Sequence, residues 1–367
     1  MRAASHFDMT RVLGSRARSG LAALLVALVL CGCAFKREPP PVVESPIEEP
    51  VPPPSPYPAL EERVLATPKE AERSIDSLAA YLTATAKDDR EKAWAIFRWT
   101  AQNIHYDVKG FFSGDYGELS PDAVLSRRSA VCDGYSSLFE SLAKAAGLEA
   151  VHILGFAKGV GFAAGMAVPE RNNHAWNAVF IDGRWVLVDC TWAAGSLNEE
   201  GQYEQVFEPY YFDPRPDELI RTHFPVDPRW QLLPRPVTRA EFESGPLLKT
   251  AFFTAGLRLG NFDRATIVAP EPELDVNLVG PADTHIMASL VNAEDEALPN
   301  ATRVVREGEA FHISVVLPAP GDYTLRVFVK KGNPEGIHQW ALDYLVRAKQ
   351  GTSKTIDEWF APPKKRR

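Results

Sequence analysis

Cys132, His174 and Asp189 are the residues of this chain whose types and settings could do chemistry together. A thiol, an imidazole and a carboxylate supply a nucleophile, a base and a group that orients the base, the parts that acyl transfer needs. Cys132 opens a helix-patterned run, Ala130-Val131-Cys132-Asp133-Gly134-Tyr135. His174 begins a strand-like run, His174-Ala175-Trp176-Asn177-Ala178-Val179-Phe180, and Asp189 ends the next, Trp185-Val186-Leu187-Val188-Asp189. Taken singly, each has a plain structural use: a core cysteine, a satisfied core histidine, a strand-end cap. Their joint placement is what points to chemistry.

The elements that must position them are legible. Tyr135, Leu138, Phe139, Leu142, Ala143 and Ala146 fall on one helical stripe, and Gly147 closes it as a C-cap. Cys132 then lies in the first turn, where free N–H groups and the helix dipole favour a thiolate and can hold an oxyanion. Further on, Ile181-Asp182-Gly183-Arg184 carries Asp-Gly between two strand-like runs, the signature of a two-residue type I′ hairpin. In that register Ile181 pairs with Arg184 and Trp176 faces Asp189. His174 shares the face of Trp176, diagonal to Asp189 at roughly 7–8 Å, within joint reach of an imidazole and a carboxylate. A one-residue slip would separate them. The same register sends Cys190 to the opposite face, as a small buried hydrophobe not disulfide-bonded to Cys132.

Around these residues, Trp176, Trp192 and Tyr135 are candidates to line the site, with Trp176 leaning to the core. Gly155 to Gly165 is Gly-rich but lacks a Gly-Lys-Ser/Thr ending, so it reads as a flexible connection and not a nucleotide cradle. His105, His152 and His223 are isolated, and the globular part has no His-x-x-x-His or Cys-x-x-Cys pair, so neither a metal nor another cofactor is expected. Upstream, Thr67-Pro68 reads as the start of a helix running to about Ala86, and Asp88-Asp89 as the start of a second. Ala93, Ile96, Phe97, Ala101 and Ile104 give that second helix a buried face. After about Pro236 short β-rich runs recur, separated by turn residues: 265–268, 274–278, 285–290, 311–316, 323–329 and 340–346. They suggest a β-sandwich.

The fold class expected is therefore α+β, helices packed on an antiparallel sheet, followed by an all-β sandwich-like domain. With 367 residues and 45% hydrophobic content the chain can build two cores. A net charge of −8 and a pI near 5.6 argue against nucleic acid as a partner. At the N-terminus, Arg2, Arg11, Arg16 and Arg18 precede an apolar run from Leu21 to Leu30 that is short for a membrane span. A Pro-rich, polyproline-like stretch follows, with Pro39-Pro40-Pro41 and Pro52-Pro53-Pro54-Ser55-Pro56. The expected divisions are a leader (1–32), a tether (33–66), the thiol domain (67–236), the β-sandwich (237–350) and a solvated basic tail (351–367).

Two resemblances add to this reading. The tetrad Leu30-Cys31-Gly32-Cys33 resembles the lipobox of bacterial lipoproteins, which implies lipidation of Cys33 and an outer-membrane anchor facing the periplasm. The stretch from about Ala93 to Leu233 resembles the transglutaminase-like superfamily of papain-type thiol enzymes, and within it kyphoscoliosis-peptidase-type and cytokinesis-associated transglutaminase-like domains. The residues that carry it include Ala130-Val131-Cys132-Asp133-Gly134-Tyr135, Gly155-Phe156-Ala157-Lys158-Gly159, Asn173-His174-Ala175-Trp176 and Val188-Asp189-Cys190-Thr191-Trp192. His223-Phe224-Pro225 and Trp230-Gln231-Leu232-Leu233 follow. The resemblance implies Cys132 as nucleophile, His174 as base and Asp189 as orienter. It implies a cysteine peptidase or transglutaminase-like acyltransferase acting on protein or peptide substrates, cell-wall peptide among them. A lipid-anchored scaffold that binds peptides through the same fold without turning them over is the alternative.

Overall fold

The computed structural model describes residues 55–198 and 201–359. The leader, Cys33, most of the tether and the basic residues Lys364 to Arg367 lie outside the described residues. Among the described residues no helix is long and apolar enough to cross a membrane.

The first helix, Pro58–Leu65, lies inside the stretch read as tether. Pro58 occupies the first turn, where its missing N–H has no partner to lose. Leu60 and Val64, four residues apart, are buried, and Glu61 pairs with Arg98 at 2.6 Å. Thr67 does not start the next helix. Its hydroxyl donates back to the Val64 carbonyl, and the helix Ile75–Thr83 starts later, with Ser74 Oγ accepting from Ser77 N. The Pro68 ring disfavours helical backbone at Thr67, so Thr67-Pro68 ends one element instead of opening another.

Helix Asp89–Asn103 is capped by the Asp88 carboxylate, as expected from Asp88-Asp89. Ala93, Ile96, Phe97, Ala101 and the following Ile104 are all buried. Helix Cys132–Ala145 is the central element. It packs on strands Glu149–Ala157 and His174–Ile181 on one side and on the two helices Ile75–Thr83 and Asp89–Asn103 on the other. Its stripe residues Tyr135, Leu138, Phe139 and Leu142 are fully buried, each large side chain contributing about 1.5–3 kcal/mol. Gly134 is required by this packing: a Cβ there would sit 2.5 Å from Ala130 Cβ. Asn177 Nδ2 donates to Ser136 O at 3.0 Å and ties helix to sheet.

That sheet is antiparallel, in the order Arg184–Val188, His174–Ile181, Glu149–Ala157, His223–Pro225. The C-terminal region begins with helix Arg239–Ser244, held by a Thr238/Glu241 capping box, and helix Thr250–Thr254. Two sheets follow. One contains strands 273–279, 310–316 and 302–307. The other contains strands 266–269, 339–348, 321–331 and 284–291. Their inner faces, with Val276, Ile313, Leu325, Val327 and Leu342, bury a second core. All six expected β runs are strands. Strand Thr302–Glu307 was not expected, because its polar and apolar residues alternate only weakly. The β region also extends past residue 350: Ile356 is buried and its N–H donates to Asn300 O at 3.1 Å.

Candidate active site

Short parallel pairing of His105–Tyr106 with Ser129–Ala130 delivers the chain to Val131, whose extended backbone precedes the helix. Cys132 is the first helical residue, half-buried and free of any disulfide. Among the described residues no acceptor is placed on the amides of Cys132 and Asp133, while those of Gly134 and Tyr135 donate to Val131 O. Two N–H donors therefore remain available beside the thiol. Tyr106 borders it. Burial first, and the neighbouring Cys132 second, keep that phenol protonated.

The hairpin has the register that the Asp-Gly pair dictates. Ile181 pairs with Arg184 and Asn177 with Val188. Asp182 and Gly183 sit at φ 54° and 74°, the left-handed pair of a type I′ turn. His174 Nε2 lies 2.6 Å from Asp189 Oδ2, both buried. The other oxygen, Asp189 Oδ1, accepts from Thr191 N at 2.8 Å and Trp192 N at 3.0 Å, capping helix Cys190–Ala194. Asp189 is thus both a cap and a partner of His174, and the cap fixes the carboxylate that the imidazole meets. Burial alone would strip the proton from His174, but the charge and hydrogen bond of Asp189, with Cys132 adding to them, hold its pKa up at about 10. Burial would likewise raise Asp189, yet His174 and then His223 hold it well below the usual carboxylate range. With Nε2 engaged by Asp189, Nδ1 is the nitrogen left for Cys132.

His223 is a partner that the sequence reading treated as isolated. Its Nε2 lies 3.0 Å from the same Asp189 Oδ2, and its Nδ1 lies 2.8 Å from Thr222 Oγ1. It enters from strand His223–Pro225, across the sheet from the hairpin, so no local spacing announces it. Its appearance in the His223-Phe224-Pro225 motif was the available signal. Burial pushes its pKa down to about 4, against the pull of Asp189. Trp192 packs on both histidines, its ring 5.5 Å from His174 and 4.4 Å from His223. Trp176 is buried and stacked under His174, the core role expected of it. Gly155 makes room for it, since a Cβ there would meet the Trp176 ring at 2.3 Å. Tyr135 does not line the site. It is fully buried and donates to Ile104 O. Cys190 is buried in the core, and burial pushes its thiol pKa well up.

His174, Asp189 and His223 bring three possible metal-ligand atoms within 4.8 Å. Ligands about 2.0–2.1 Å from a tetrahedral zinc stand roughly 3.3 Å apart. The His–Asp separations of 2.6 and 3.0 Å are hydrogen-bond lengths, and they occupy both imidazole Nε2 atoms on one oxygen. The Gly-rich connection is anchored near the site. Asn173 clasps Ala157 through two hydrogen bonds, and Lys158 is buried with Nζ 2.8 Å from Gly245 O. Beside Trp192 a cleft of about 220 Å³ opens, lined by Val206, Glu208, Tyr211 and Thr250 among others.

Comparison with known proteins bears on the family and the fold. Residues 76–190 match the model of the transglutaminase-like superfamily, and residues 239–357 match that of the KY-like, immunoglobulin-like domain. Kyphoscoliosis peptidase of Mus musculus is 29% identical over 274 residues, covering 74% of this chain and 40% of the relative. Kyphoscoliosis peptidase of Homo sapiens is 28% identical, covering 77% and 42%. The Lim and transglutaminase domain protein ltd-1 of Caenorhabditis elegans is 31% identical, covering 56% and 32%. The chain spans about two fifths of the length of the kyphoscoliosis peptidases it matches. The chain joins a transglutaminase-like superfamily domain to a KY-like, immunoglobulin-like domain.

Proposed function

We propose that Cys132, His174 and Asp189 form the working centre of a thiol enzyme that attacks amide carbonyls of proteins or peptides. One observation carries the reading: Asp189 holds His174 Nε2 at 2.6 Å, which turns the other imidazole nitrogen to a thiol at a helix N-terminus. Cys132 attacks as the thiolate whose proton His174 already holds, and Sγ adds to the carbonyl carbon. The oxyanion meets the amides of Cys132 and Asp133. His174 then gives the proton to the leaving amine, and an acyl-thioester remains. Water releases an acid, which is hydrolysis. A second amine releases a new amide, which is transamidation. Either acceptor gives its proton to His174, and Cys132 leaves as the thiolate beside the imidazolium.

The relatives named kyphoscoliosis peptidase support hydrolysis as the first reaction to test. Exposed Phe111, Phe112 and Tyr116, near Tyr106, support docking of an apolar peptide segment beside the thiol. The same surface would serve a scaffold that binds without turnover. Mass spectrometry of peptides from an envelope fraction, incubated with the protein or its Cys132→Ala form, decides. New termini or new isopeptides that need Cys132 identify the reaction. Identical peptide sets with retained binding leave the scaffold reading. Anchoring at a bacterial outer membrane through Cys33 belongs to the same proposal and rests on the leader sequence. Radiolabelled palmitate should enter the full chain and be lost in Cys33→Ser, and a soluble, unlabelled product sinks it.

A further inference from the structure

We propose that His223, backed by Thr222, is a positioning residue that fixes the Asp189 carboxylate and tempers its hold on His174. The inference rests on the reading of His174 as base to Cys132. An ionised carboxylate has about four acceptor sites. Asp189 fills them with four donors: His174 at 2.6 Å, His223 at 3.0 Å, Thr191 N at 2.8 Å and Trp192 N at 3.0 Å. The two amides fix Oδ1. His223 is the second donor on Oδ2, the oxygen that serves His174, so it sets where that oxygen lies and how much charge it presents.

For this role His223 must be neutral, with its proton on Nε2. The surroundings select that form. The ring is buried among Trp176, Trp192 and Tyr211. Asp189 Oδ2 can only accept, so Nε2 carries the proton of the neutral ring, and Nδ1 is left to accept from the Thr222 hydroxyl, whose oxygen lies 2.8 Å from it and 3.2 Å from Leu219 O. In that tautomer Thr222 donates to Nδ1 in preference to the more distant Leu219 O, and Nε2–H serves Asp189. The other titratable groups that face this cluster are Cys132 from the helix, Tyr106 from its short strand, Tyr211 from the 209–211 turn and Cys190 beside Asp189. Tyr211 turns its hydroxyl to Thr250 at 2.8 Å. A purely structural ring could be an apolar aromatic. The hydroxyl behind Nδ1 and the carboxylate before Nε2 require an imidazole of one tautomer.

Without the second donor, Oδ2 presents more negative charge to His174, and the imidazolium survives to higher pH. Three variants of the full chain separate the contributions. His223→Phe fills the space without a donor, His223→Gln returns an N–H, and Thr222→Val removes the donor to Nδ1. Two readouts apply: the pH profile of iodoacetamide alkylation mapped to Cys132, and the titration of ¹⁵N-labelled imidazoles followed by NMR. The alkaline limb and the His174 titration should both move up by about one pH unit in His223→Phe and by less in Thr222→Val, and return towards the parent in His223→Gln. Folded His223→Phe with a parental His174 titration overturns the proposal. If that variant does not fold, an unmoved His174 titration in Thr222→Val overturns it, as does a charged or Nδ1-protonated His223 in the parent at neutral pH. An unactivated Cys132 in the parent, with a His174 titration that still moves, refutes the thiol-enzyme reading and leaves the positioning role supported.

Discussion

Both domains bury an aspartate, and the two carboxylates are pushed in opposite directions. Asp189 is held well below the usual range, because His174 and His223 outweigh its burial. Asp343, in the immunoglobulin-like domain, is raised, because burial outweighs Arg326 and Trp340. The geometry explains the difference. Asp189 receives four donors at 2.6–3.0 Å, two of them amides at a helix start. Asp343 receives Arg326 at 3.2–3.3 Å and Trp340 Nε1 at 2.8 Å. Arg326 and Lys249 both lie against the Trp340 ring, which closes the cluster on itself. At Asp189 the chain of contacts continues through an imidazole to a half-buried thiol. A buried polar group whose partners end at a half-buried thiol can serve the proposed chemistry, and one whose partners end in each other is a brace.

The largest effect should come from the end of that chain. Cys132→Ala should abolish labelling by iodoacetamide-type probes near neutral pH, and Cys190→Ala should leave it largely intact. Equal labelling of the two cysteines in the folded protein would break the contrast. Asp189→Asn should come next. If Asp189 acts like the carboxylate of a serine-enzyme triad, turnover should fall on the order of 10⁴-fold. Removing one partner of a buried pair should also destabilise the fold by about 3–5 kcal/mol, read as a lower urea midpoint. Asp343→Asn should change stability by no more than about 2 kcal/mol and leave Cys132 alkylation at the parental rate. A slowed thiol in that variant would mean that the second domain feeds into the site.

The pH dependence of stability sharpens the same comparison. His174 is raised to about 10 from an ordinary 6.5. Its contribution is fully present below the ordinary value and is lost as pH rises through about 10. Asp189 is depressed, so its share is present above the ordinary carboxylate value and is lost on acidification. Asp343 is raised, so its ionisation lowers stability as pH climbs from its ordinary value. Urea midpoints measured across pH should therefore lose their alkaline fall near pH 10 in Asp189→Asn and keep it in Asp343→Asn. An unchanged alkaline limb in the first variant would detach His174 from Asp189.

What the sequence disclosed follows from how local each feature is. His174 and Asp189 are joined by one tight hairpin, so the parity of two strands and the Asp182-Gly183 turn were enough to bring them together. Cys132 was legible for a similar reason, as the start of a periodic apolar stripe. His223 was not, because it reaches Asp189 from a strand that pairs with Glu149–Ala157 on the far side of the hairpin. Only the tertiary fold closes that distance. The helix Pro58–Leu65 was hidden by proline richness, although Leu60 and Val64 already had the spacing of a buried edge. Thr67-Pro68 misled because the same dipeptide can start a helix or end one.

The smallest effect expected lies at Lys158, which packs against the start of the C-terminal region. Its Nζ donates to Gly245 O at 2.8 Å and sits over the rings of Phe242 and Phe162 at 4.8 and 5.6 Å. Among the described residues no carboxylate lies within ion-pair range of it. Burial, with nearby Arg221 adding, pushes its pKa from 10.5 down to about 8, and Glu243 only partly opposes this. A depressed lysine contributes stability that is present above its ordinary pKa and is lost as pH falls through about 8. At neutral pH the buried ammonium is therefore a net burden on the fold. Lys158→Met keeps the length and the aromatic contacts, removes the charge and leaves the Gly245 carbonyl without that donor. The two effects oppose, so the gain at pH 7 should be only about 1 kcal/mol, seen as a higher urea midpoint. The gain should vanish near pH 11, where the parent lysine is already neutral in both folded and unfolded chains. A variant that is less stable at pH 7 would mean that the ammonium holds this region more strongly than its burial weakens it, making Lys158 a brace in the manner of the Asp343 cluster.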